Sequence, residues 1–289
     1  MQFLKRNKAA ALLASVAVMF SVIGSLSGCS LFPADSDTES GDNSVQPVIE
    51  LTREDKRTTS ADAKAINLAT AGEELLITDA GDYRLSGQMN GTVHIKAEEQ
   101  VVHLFLAGVN IKSVTAPAIN VESAGKVVIT VEPGSENILA DGSKYIGEVS
   151  DGCIFSMSDL TLNGSGSISV SGYYKDAIHT KDYLKILGVS LFARAKDDGL
   201  HGNDGVLISG ADVSLEAEKN GVRTTKSGKV RKGNIEIADS KLSVIAGEHA
   251  LNASRSIYMV SSKAFLKGVM SNSKAGREIY IEEGCLANE

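Results

Sequence analysis

Short runs in which apolar and polar residues alternate recur along the chain from about residue 75 to its end. Alternation with a period of two is typical of β-strands whose two faces differ in polarity. The clearest repeat has a period of 22 residues, in which Asp176 recurs as Asp198 and Leu184 recurs as Val206. A fixed period predicts stacked units that bury their apolar faces against their neighbours. The pattern therefore predicts an all-β fold, a right-handed parallel β-helix built as a single-stranded solenoid with coils of about 22 residues.

The repeat survives one insertion. Beyond Asn220 the apolar positions are displaced by 29 residues, so that Val206 matches Ile235, and the period then returns to 22. The extra seven residues lie within 223–233, a basic stretch without acidic residues. A solenoid expels such an insertion as a loop on one face. Continuing the period places the last strand near residue 280.

The N-terminus has the pattern of a bacterial lipoprotein leader. A basic head is followed by an apolar run at 9–23, which is short for a membrane span, and then by the lipobox-like sequence Leu26-Ser27-Gly28-Cys29. We expect residues 1–28 to be a signal peptide and Cys29 to be lipidated after cleavage. Because Ser30, not Asp, follows Cys29, the sequence favours retention at the cell membrane, on its extracytoplasmic face.

Charge and composition separate the remaining parts of the chain. Residues 29–59 are polar, acidic and aperiodic, and we expect a disordered tether there, with the β-helix domain at 60–289. Removing residues 1–28, which carry three positive charges and no acid, takes the formal net charge from −7 to −10. An acidic surface disfavours nucleic acid and favours hard cations such as Ca²⁺. We expect a monomer.

Two cysteines remain after Cys29. Cys153 precedes an apolar residue and fits a small core position, and Cys285 fits a free thiol near the C-terminus. A disulfide between them is the alternative.

The repeat stacks acidic residues on one another. Coils of a β-helix lie about 4.8 Å apart, so Asp176 lies next to Asp198, and Asp182 next to Asp204. Like charges at that distance repel by about 1 kcal/mol in water. Calcium would relieve the repulsion, since it takes six to eight oxygen ligands in irregular geometry, whereas Mg²⁺ is stricter. Further oxygens are offered by Asp197, Asn203 and Asn220. The alternative is that these residues only form turns.

Histidines stack in the same way. His179 and His201 are one period apart, and Arg223 follows in the column. Two imidazoles suit a transition metal. Stacking and hydrogen bonding along the column is the alternative that the sequence favours.

The sequence motifs resemble those of a known family. The motif Asp198-Gly199-Leu200-His201, the segment 80–87 and the run 106–111 are similar to bacterial surface proteins known as carbohydrate-binding domain-containing proteins, over about residues 74–267. The resemblance implies a calcium-binding right-handed β-helix with a pectate-lyase-like fold that binds cellulose or pectic polysaccharide without catalysis. It also implies that Asp176, Asp182, Asp198 and Asp204 are metal ligands.

A polysaccharide binder needs groups that contact sugar rings. Trp is absent, so a flat platform for crystalline cellulose has little support. The aromatic residues that suit stacking on sugars are Tyr173, Tyr174, Tyr183 and Phe192, although ordinary edge packing explains any one of them. In the basic loop, Arg223 and Lys226 suit the carboxylates of an acidic glycan. A solvated loop is the alternative.

Two other functions stay open. A uronate lyase needs Ca²⁺ and a basic side chain beside the sugar carboxylate, and Lys175, Arg194, Lys196 and Arg223 are available. A structural surface adhesin would use calcium only to hold its coils together.

Overall fold

A computed structural model describes residues 49–147, 150–228 and 231–287. The predicted signal peptide, Cys29 and the tether as far as residue 48 lie outside these residues. Helical structure in the described part is limited to α1 (Arg53–Lys56) and a 3-10 helix (Leu68–Thr70). The strands are β1 (Lys64–Asn67), β2 (Glu74–Ile77), β3 (Gly81–Met89), β4 (Thr92–Lys112), β5 (Ile119–Val131), β6 (Glu136–Ala140), β7 (Gly152–Ser156), β8 (Asp159–Gly164), β9 (Ser167–Gly172), β10 (Asp176–Thr180), β11 (Tyr183–Leu187), β12 (Ser190–Ala195), β13 (Leu200–Gly202), β14 (Gly205–Ser209), β15 (Asp212–Ala217), β16 (Val222–Arg223), β17 (Asn234–Ala238), β18 (Lys241–Ala246), β19 (His249–Ala253), β20 (Ser256–Val260), β21 (Lys263–Gly268), β22 (Ser271–Ala275) and β23 (Glu278–Ile281).

All the paired strands are parallel and form the three sheets of a parallel β-helix, as predicted. Sheet 1 contains β1, part of β3, β4 and β5, then β8, β11, β14, β17, β20 and β23. Sheet 2 contains the ends of β3 and β4, then β6, β9, β12, β15, β18 and β21. Sheet 3 contains β2, the starts of β4 and β5, then β7, β10, β13, β16, β19 and β22.

The core consists of columns of branched apolar side chains inside the solenoid. Residues one coil apart are direct register partners, as Leu184 is to Val206, so each column is continuous. One fully buried column of sheet 1 contains Val127, Leu160, Leu184, Val206, Ile235 and Ile257. The register pairs Val206 with Ile235, which confirms the predicted 29-residue displacement. It also pairs Ile257 with Ile279, and β23 is the last strand of the described chain.

The segment 49–57, which we call the strap, lies across the outside of sheet 1. Thr52 caps α1, and its hydroxyl and the Asp55 carboxylate form a reciprocal capping box. Asp55 and Ile49 are buried against the sheet. The predicted tether is therefore wrong at its C-terminal end, because residues 49–57 belong to the folded domain.

The strap lies very close to sheet 1 where Ile49 packs over Gly205. A Cβ atom at Gly205 would lie 2.9 Å from Ile49 Cδ1 and 3.0 Å from Tyr183 Cδ1. Real Cβ atoms do not approach other atoms so closely, so glycine makes room for Ile49 at this coil.

Two further points concern the rest of the chain. Cys153 and Cys285 are separate, buried free thiols, so the disulfide alternative is wrong. Within the described ranges, no helix has the length and apolar character needed to cross a membrane.

Candidate functional site

The stacked carboxylates of Asp176 and Asp198 lie on the outside of sheet 3, almost completely buried. Asp176 Oδ1 accepts a hydrogen bond of 2.9 Å from the Asp198 backbone N–H. Asp198 Oδ1 accepts one of 2.7 Å from Asn220 Nδ2, and Arg223 donates to Asp198 Oδ2 over 2.9 Å. The repulsion expected between the two acids is therefore relieved in part by the next coil, through an amide and a guanidinium.

The predicted histidine column is present and packs against the same acids. His179 and His201 are register partners whose rings stack with centroids 4.0 Å apart. Their Nδ1 atoms lie 3.2 Å and 3.0 Å from Asp176 Oδ2, and Asp151 Oδ1 lies 2.6 Å from His179 Nδ1. Both Nδ1 atoms are directed at the same oxygen, and Asp176, His179 and His201 each place one potential ligand atom within 4.8 Å of the others. In this structure the two imidazoles interact with the Asp176 carboxylate by hydrogen bonding.

The titration of these groups follows from burial opposed by hydrogen bonding. Burial alone raises the pKa of Asp176, but hydrogen bonds from His179 and His201 outweigh it and hold that pKa far below its usual range. Burial lowers the pKa of His179, but Asp151 and Asp176 reverse the effect and raise it. For His201 burial prevails, and its pKa is lowered. The carboxylate of Asp176 is thus an ion at neutral pH.

The second acid pair, Asp182 and Asp204, lies apart from the first. Asp204 is buried and contacts two lysines of the inserted loop, Lys226 at 2.8 Å and Lys232. Asp182 is more exposed, and Lys226 lies 3.6 Å from its Oδ1. Burial, together with the Asp204 charge, raises the pKa of Asp182. Two basic residues in the described part of the inserted loop, Lys226 and Lys232, therefore neutralise these acids.

The predicted metal ligands consequently separate into groups. Asp176, Asp197 and Asp198 each place one carboxylate oxygen within 4.8 Å of the others. The amide of Asn220 donates to Asp198, and its Oδ1 accepts from Asn252. Asn203 lies farther along the coil, where its Oδ1 accepts from Thr225. The oxygen-rich group of three acids is the part of the ladder that resembles a calcium site.

The predicted glycan-binding residues also separate. Tyr173 is 52% exposed and Phe192 is 38% exposed. Tyr174 stacks on Tyr145 with centroids 4.2 Å apart, and the Tyr183 hydroxyl donates to the Arg231 carbonyl beside the strap. Arg223 and Lys226 are engaged by the acid ladder, as described above. Tyr173 and Phe192 are therefore the aromatic groups of this set best placed to meet a ligand.

Phe192 belongs to what we call the sheet 2 face, the outward side chains of sheet 2. Its register partners on either side are Ser169 and Ser214, so the phenyl ring stands above small neighbours. Arg194, two residues on, packs near that ring at 5.9 Å and forms an ion pair of 2.7 Å with Glu216. An aromatic ring and a cationic group thus lie side by side on an exposed part of this face.

A pocket, which we call the tyrosine groove, opens at the edge of the sheet 2 face. It has a volume of about 460 Å³, within the usual range for small-molecule sites, and its charged and aromatic lining comes from Tyr173, Arg194, Lys196 and Glu218. Two cations and one anion line it, so its local charge is positive although the whole chain is acidic.

Sequence reasoning missed the residues that position Tyr173. Asp141 Oδ1 accepts a hydrogen bond of 2.5 Å from the Tyr173 backbone N–H, and Asp141 Oδ2 accepts one of 2.7 Å from the Tyr145 hydroxyl. Burial raises the pKa of Asp141 to about 6, although both hydrogen bonds oppose the rise. These residues lie in an aperiodic connection between β6 and β7, where the repeat carries no information.

The fold and this surface define a class: parallel β-helices in which a sheet face carries exposed aromatic and charged side chains. The chain belongs to the carbohydrate-binding domain-containing protein family, whose model matches residues 71–283.

Two relatives illustrate the similarity. A carbohydrate-binding domain-containing protein of Acetivibrio thermocellus is 34% identical over 136 residues, a match that spans 44% of this chain and 47% of that protein. The chain thus matches about half the length of that relative. The solved structure of the polysaccharide lyase-like protein from C. thermocellum, as its gadolinium derivative, superimposes with a TM-score of 0.73 at 28% identity, covering 75% of this chain and 90% of the other.

Proposed function

We propose that this protein binds polysaccharide without cleaving it, and that the sugar chain lies on the sheet 2 face. The observation that carries the proposal is the tyrosine groove, where the exposed ring of Tyr173 faces solvent beside the basic side chains of Arg194 and Lys196. Aromatic rings offer the flat apolar contact that a pyranose ring needs, and nearby cations bind carboxylates. An acidic glycan built of uronic acid units fits this combination.

The charges of the groove support an acidic ligand. Arg194 pairs with Glu216, an exposed pair of little energetic value that a ligand carboxylate can replace. Lys196 is exposed and makes no ion pair with any residue that the structure describes. A uronate would therefore gain a cation without breaking a strong interaction.

Binding to the groove can be measured on a glycan array and then by titration calorimetry with oligogalacturonides. We expect Tyr173→Ala to weaken binding about tenfold, about 1.4 kcal/mol, because truncating a central aromatic contact typically costs more than 1 kcal/mol. Lys196→Ala should weaken binding of acidic oligosaccharides only. The control is Tyr280→Ala, since Tyr280 is 39% exposed but lies on sheet 1.

Equal affinities for the native chain and Tyr173→Ala would contradict the proposed site. Release of an unsaturated product from polygalacturonate would instead support the lyase alternative. A lyase base must lose its proton, and one of the four candidate bases, Arg223, is poorly suited to this. Although burial lowers the pKa of Arg223, its hydrogen bond to Asp198 reverses this and raises it. That guanidinium is a poor base.

Calcium forms part of the proposal, at Asp176, Asp197 and Asp198. Support comes from the donor set, since three carboxylates converge and calcium prefers such hard oxygen ligands. Lys219 lies 2.7 Å from Asp197, and Arg223 lies 2.9 Å from Asp198. These cations compete with the ion, so calcium binding must displace them.

Calcium is tested by thermal melting in Ca²⁺ and in chelator. We expect Ca²⁺ to raise the melting temperature by several degrees, since a ligand at a hundredfold excess over its Kd contributes about 2.7 kcal/mol. Asp198→Asn should reduce that rise because it removes one anionic ligand. Asp182→Asn is the matched control, because Asp182 lies with Lys226 outside the group of three acids. Identical melting temperatures of the native chain in both buffers would exclude the calcium site.

The remaining parts of the proposal concern location. We place the protein at the cell membrane, lipid-anchored through Cys29 on the extracytoplasmic face, as a monomer. The leader pattern and the Cys29 motif support this arrangement.

A further inference from the structure

A second pocket lies on the sheet 2 face, near the first coils of the solenoid. It has a volume of about 430 Å³ and its polar rim consists of Glu73, Gln88, Asn90, Asn110 and Lys112. We call it the amide pocket. Its apolar lining includes Leu68 of the 3-10 helix and Met89 of β3, both of which are buried. It is unrelated to the acid ladder of sheet 3.

The polar groups of the amide pocket are unengaged, unlike those of the acid ladder. Asn110 Oδ1 is buried and accepts no hydrogen bond from any described residue. A buried acceptor left unsatisfied is destabilising, and native structures contain few of them. Within the described chain, the side chains of Gln88, Asn90 and Lys112 form no hydrogen bond or ion pair either. Gln88, Asn90 and Lys112 are exposed and free to contact a ligand, and the buried Asn110 Oδ1 is the acceptor that a ligand donor would satisfy.

The chemistry of the rim identifies the class of ligand. Three amides supply both donors and acceptors, which suits the hydroxyl groups of a sugar. One cation, Lys112, and one anion, Glu73, leave the rim without net charge. The tyrosine groove, by contrast, has an excess of positive charge. We infer that the amide pocket is a second saccharide site, specific for a neutral, hydroxyl-rich sugar unit.

The register of sheet 2 connects the two pockets. Gln88 pairs with Asn110, Asn110 with Ile138, and the same outward column continues through Ser169 to Phe192. Asn110 and Phe192 are three coils apart, which is about 14 Å at the spacing of adjacent strands. Arg194, which lines the tyrosine groove, follows Phe192 two residues later on the same strand. A glycan of several units that follows the solenoid axis reaches both pockets. This inference rests on the proposed function and adds a site with a different specificity.

The site is tested with two probes, cellohexaose as a neutral oligosaccharide and trigalacturonate as a short acidic one. We expect cellohexaose to shift the side-chain amide NMR signals of Gln88, Asn90 and Asn110. Asn110→Ala should weaken cellohexaose binding about tenfold and change trigalacturonate binding less than twofold. Gln100→Ala is the control, since the Gln100 amide lies outside the pocket and accepts from Ala80 N–H.

A melting measurement separates a ligand-binding role from a structural one. Because Asn110 Oδ1 has no partner to lose among the described residues, Asn110→Ala should melt at or above the native temperature. Loss of stability together with unchanged cellohexaose affinity would overturn the inference. If an oligosaccharide shifts the NMR signals of Tyr173 but not the side-chain amide signals of the pocket, the inference is overturned and the proposed function stands. If neither pocket responds to either probe, both proposals are wrong.

Discussion

Asp55→Ala will lower the free energy of unfolding by about 3–5 kcal/mol, the typical cost of removing one partner from a buried ion pair. Asp55 is 0% exposed and lies between two lysines of the solenoid wall, Lys126 and Lys185, with 2.9 Å to each ammonium. Thr161 Oγ1 donates a third hydrogen bond of 2.6 Å. Without the carboxylate, two buried ammonium groups lose their counterion.

The pKa of Asp55 agrees with this account. Burial alone raises it, but hydrogen bonds from Lys185, Thr161 and Lys126 outweigh burial and hold the pKa far below its usual range. The stability that this depressed pKa supplies is present above the unfolded value near 4 and is lost as pH falls toward the folded value. Asp55→Ala should therefore be most damaging at neutral pH.

Urea denaturation followed by circular dichroism measures the effect, with Lys56→Ala as control. Lys56 lies on the same turn of α1 but is exposed, so its loss should change stability by less than about 0.5 kcal/mol. The triple variant Asp55→Leu, Lys126→Met, Lys185→Met should recover much of the loss, because apolar groups of similar volume replace a buried ionic cluster at little cost. A loss below about 1 kcal/mol for Asp55→Ala would show that the strap does not stabilise the solenoid.

The strap also shows where sequence reasoning fails. From Asp176 onward the solenoid was predictable residue by residue, because these coils repeat the same alternation and the core accepts only apolar side chains at fixed offsets. The pairing of Leu184 with Val206 and of Val206 with Ile235 followed from counting alone. The strap occurs once and lies across the coils, so it has no period. The capping box formed by Thr52 and Asp55 was the available local signal.

The acid ladder was predicted in position but not in its chemistry. The offsets correctly stacked Asp176 on Asp198 and His179 on His201. They gave no information about counterions, which come from the next coil and from the inserted loop. Arg223 and Lys226 were predicted to bind a ligand, yet they pair with Asp198 and Asp204. Periodicity determines which backbone positions are neighbours, whereas the rotamers of long cationic side chains determine which charges meet.

Acid should destabilise the protein as pH falls from 6.5 to about 4, and His103 is expected to be a principal cause. Its ring is buried on the outside of sheet 1, stacked on Phe105 at 4.2 Å, with Nε2 2.6 Å from Thr130 Oγ1. Burial lowers the pKa of His103 to about 4, and the charge of Arg57 contributes, opposed by Asp82. The folded protein therefore keeps this imidazole neutral over a range in which the unfolded chain protonates it.

The difference in proton binding between the folded and unfolded states determines how stability changes with pH. A histidine whose folded pKa is below its unfolded value of 6.5 contributes stability that is complete above pH 6.5 and is lost as pH falls to about 4. Because each pKa unit corresponds to about 1.4 kcal/mol, the loss over this window approaches about 3 kcal/mol. His201, whose pKa is also lowered, acts in the same direction, whereas His179, whose pKa is raised, acts in the opposite one.

His103→Gln isolates the contribution, because glutamine can keep a hydrogen bond to Thr130 but does not titrate. We expect this variant to lose about 3 kcal/mol less than the native chain between pH 7 and pH 4, measured by urea unfolding at each pH. His249→Gln is the control and should follow the native profile, since His249 is only half-buried and bonds to Ser271. Parallel pH profiles for His103→Gln and the native chain would mean that His103 is protonated as easily in the folded protein as in the unfolded chain. In that case, the packing of the strap residue Arg57 against Phe105 would not exclude water from this face of sheet 1.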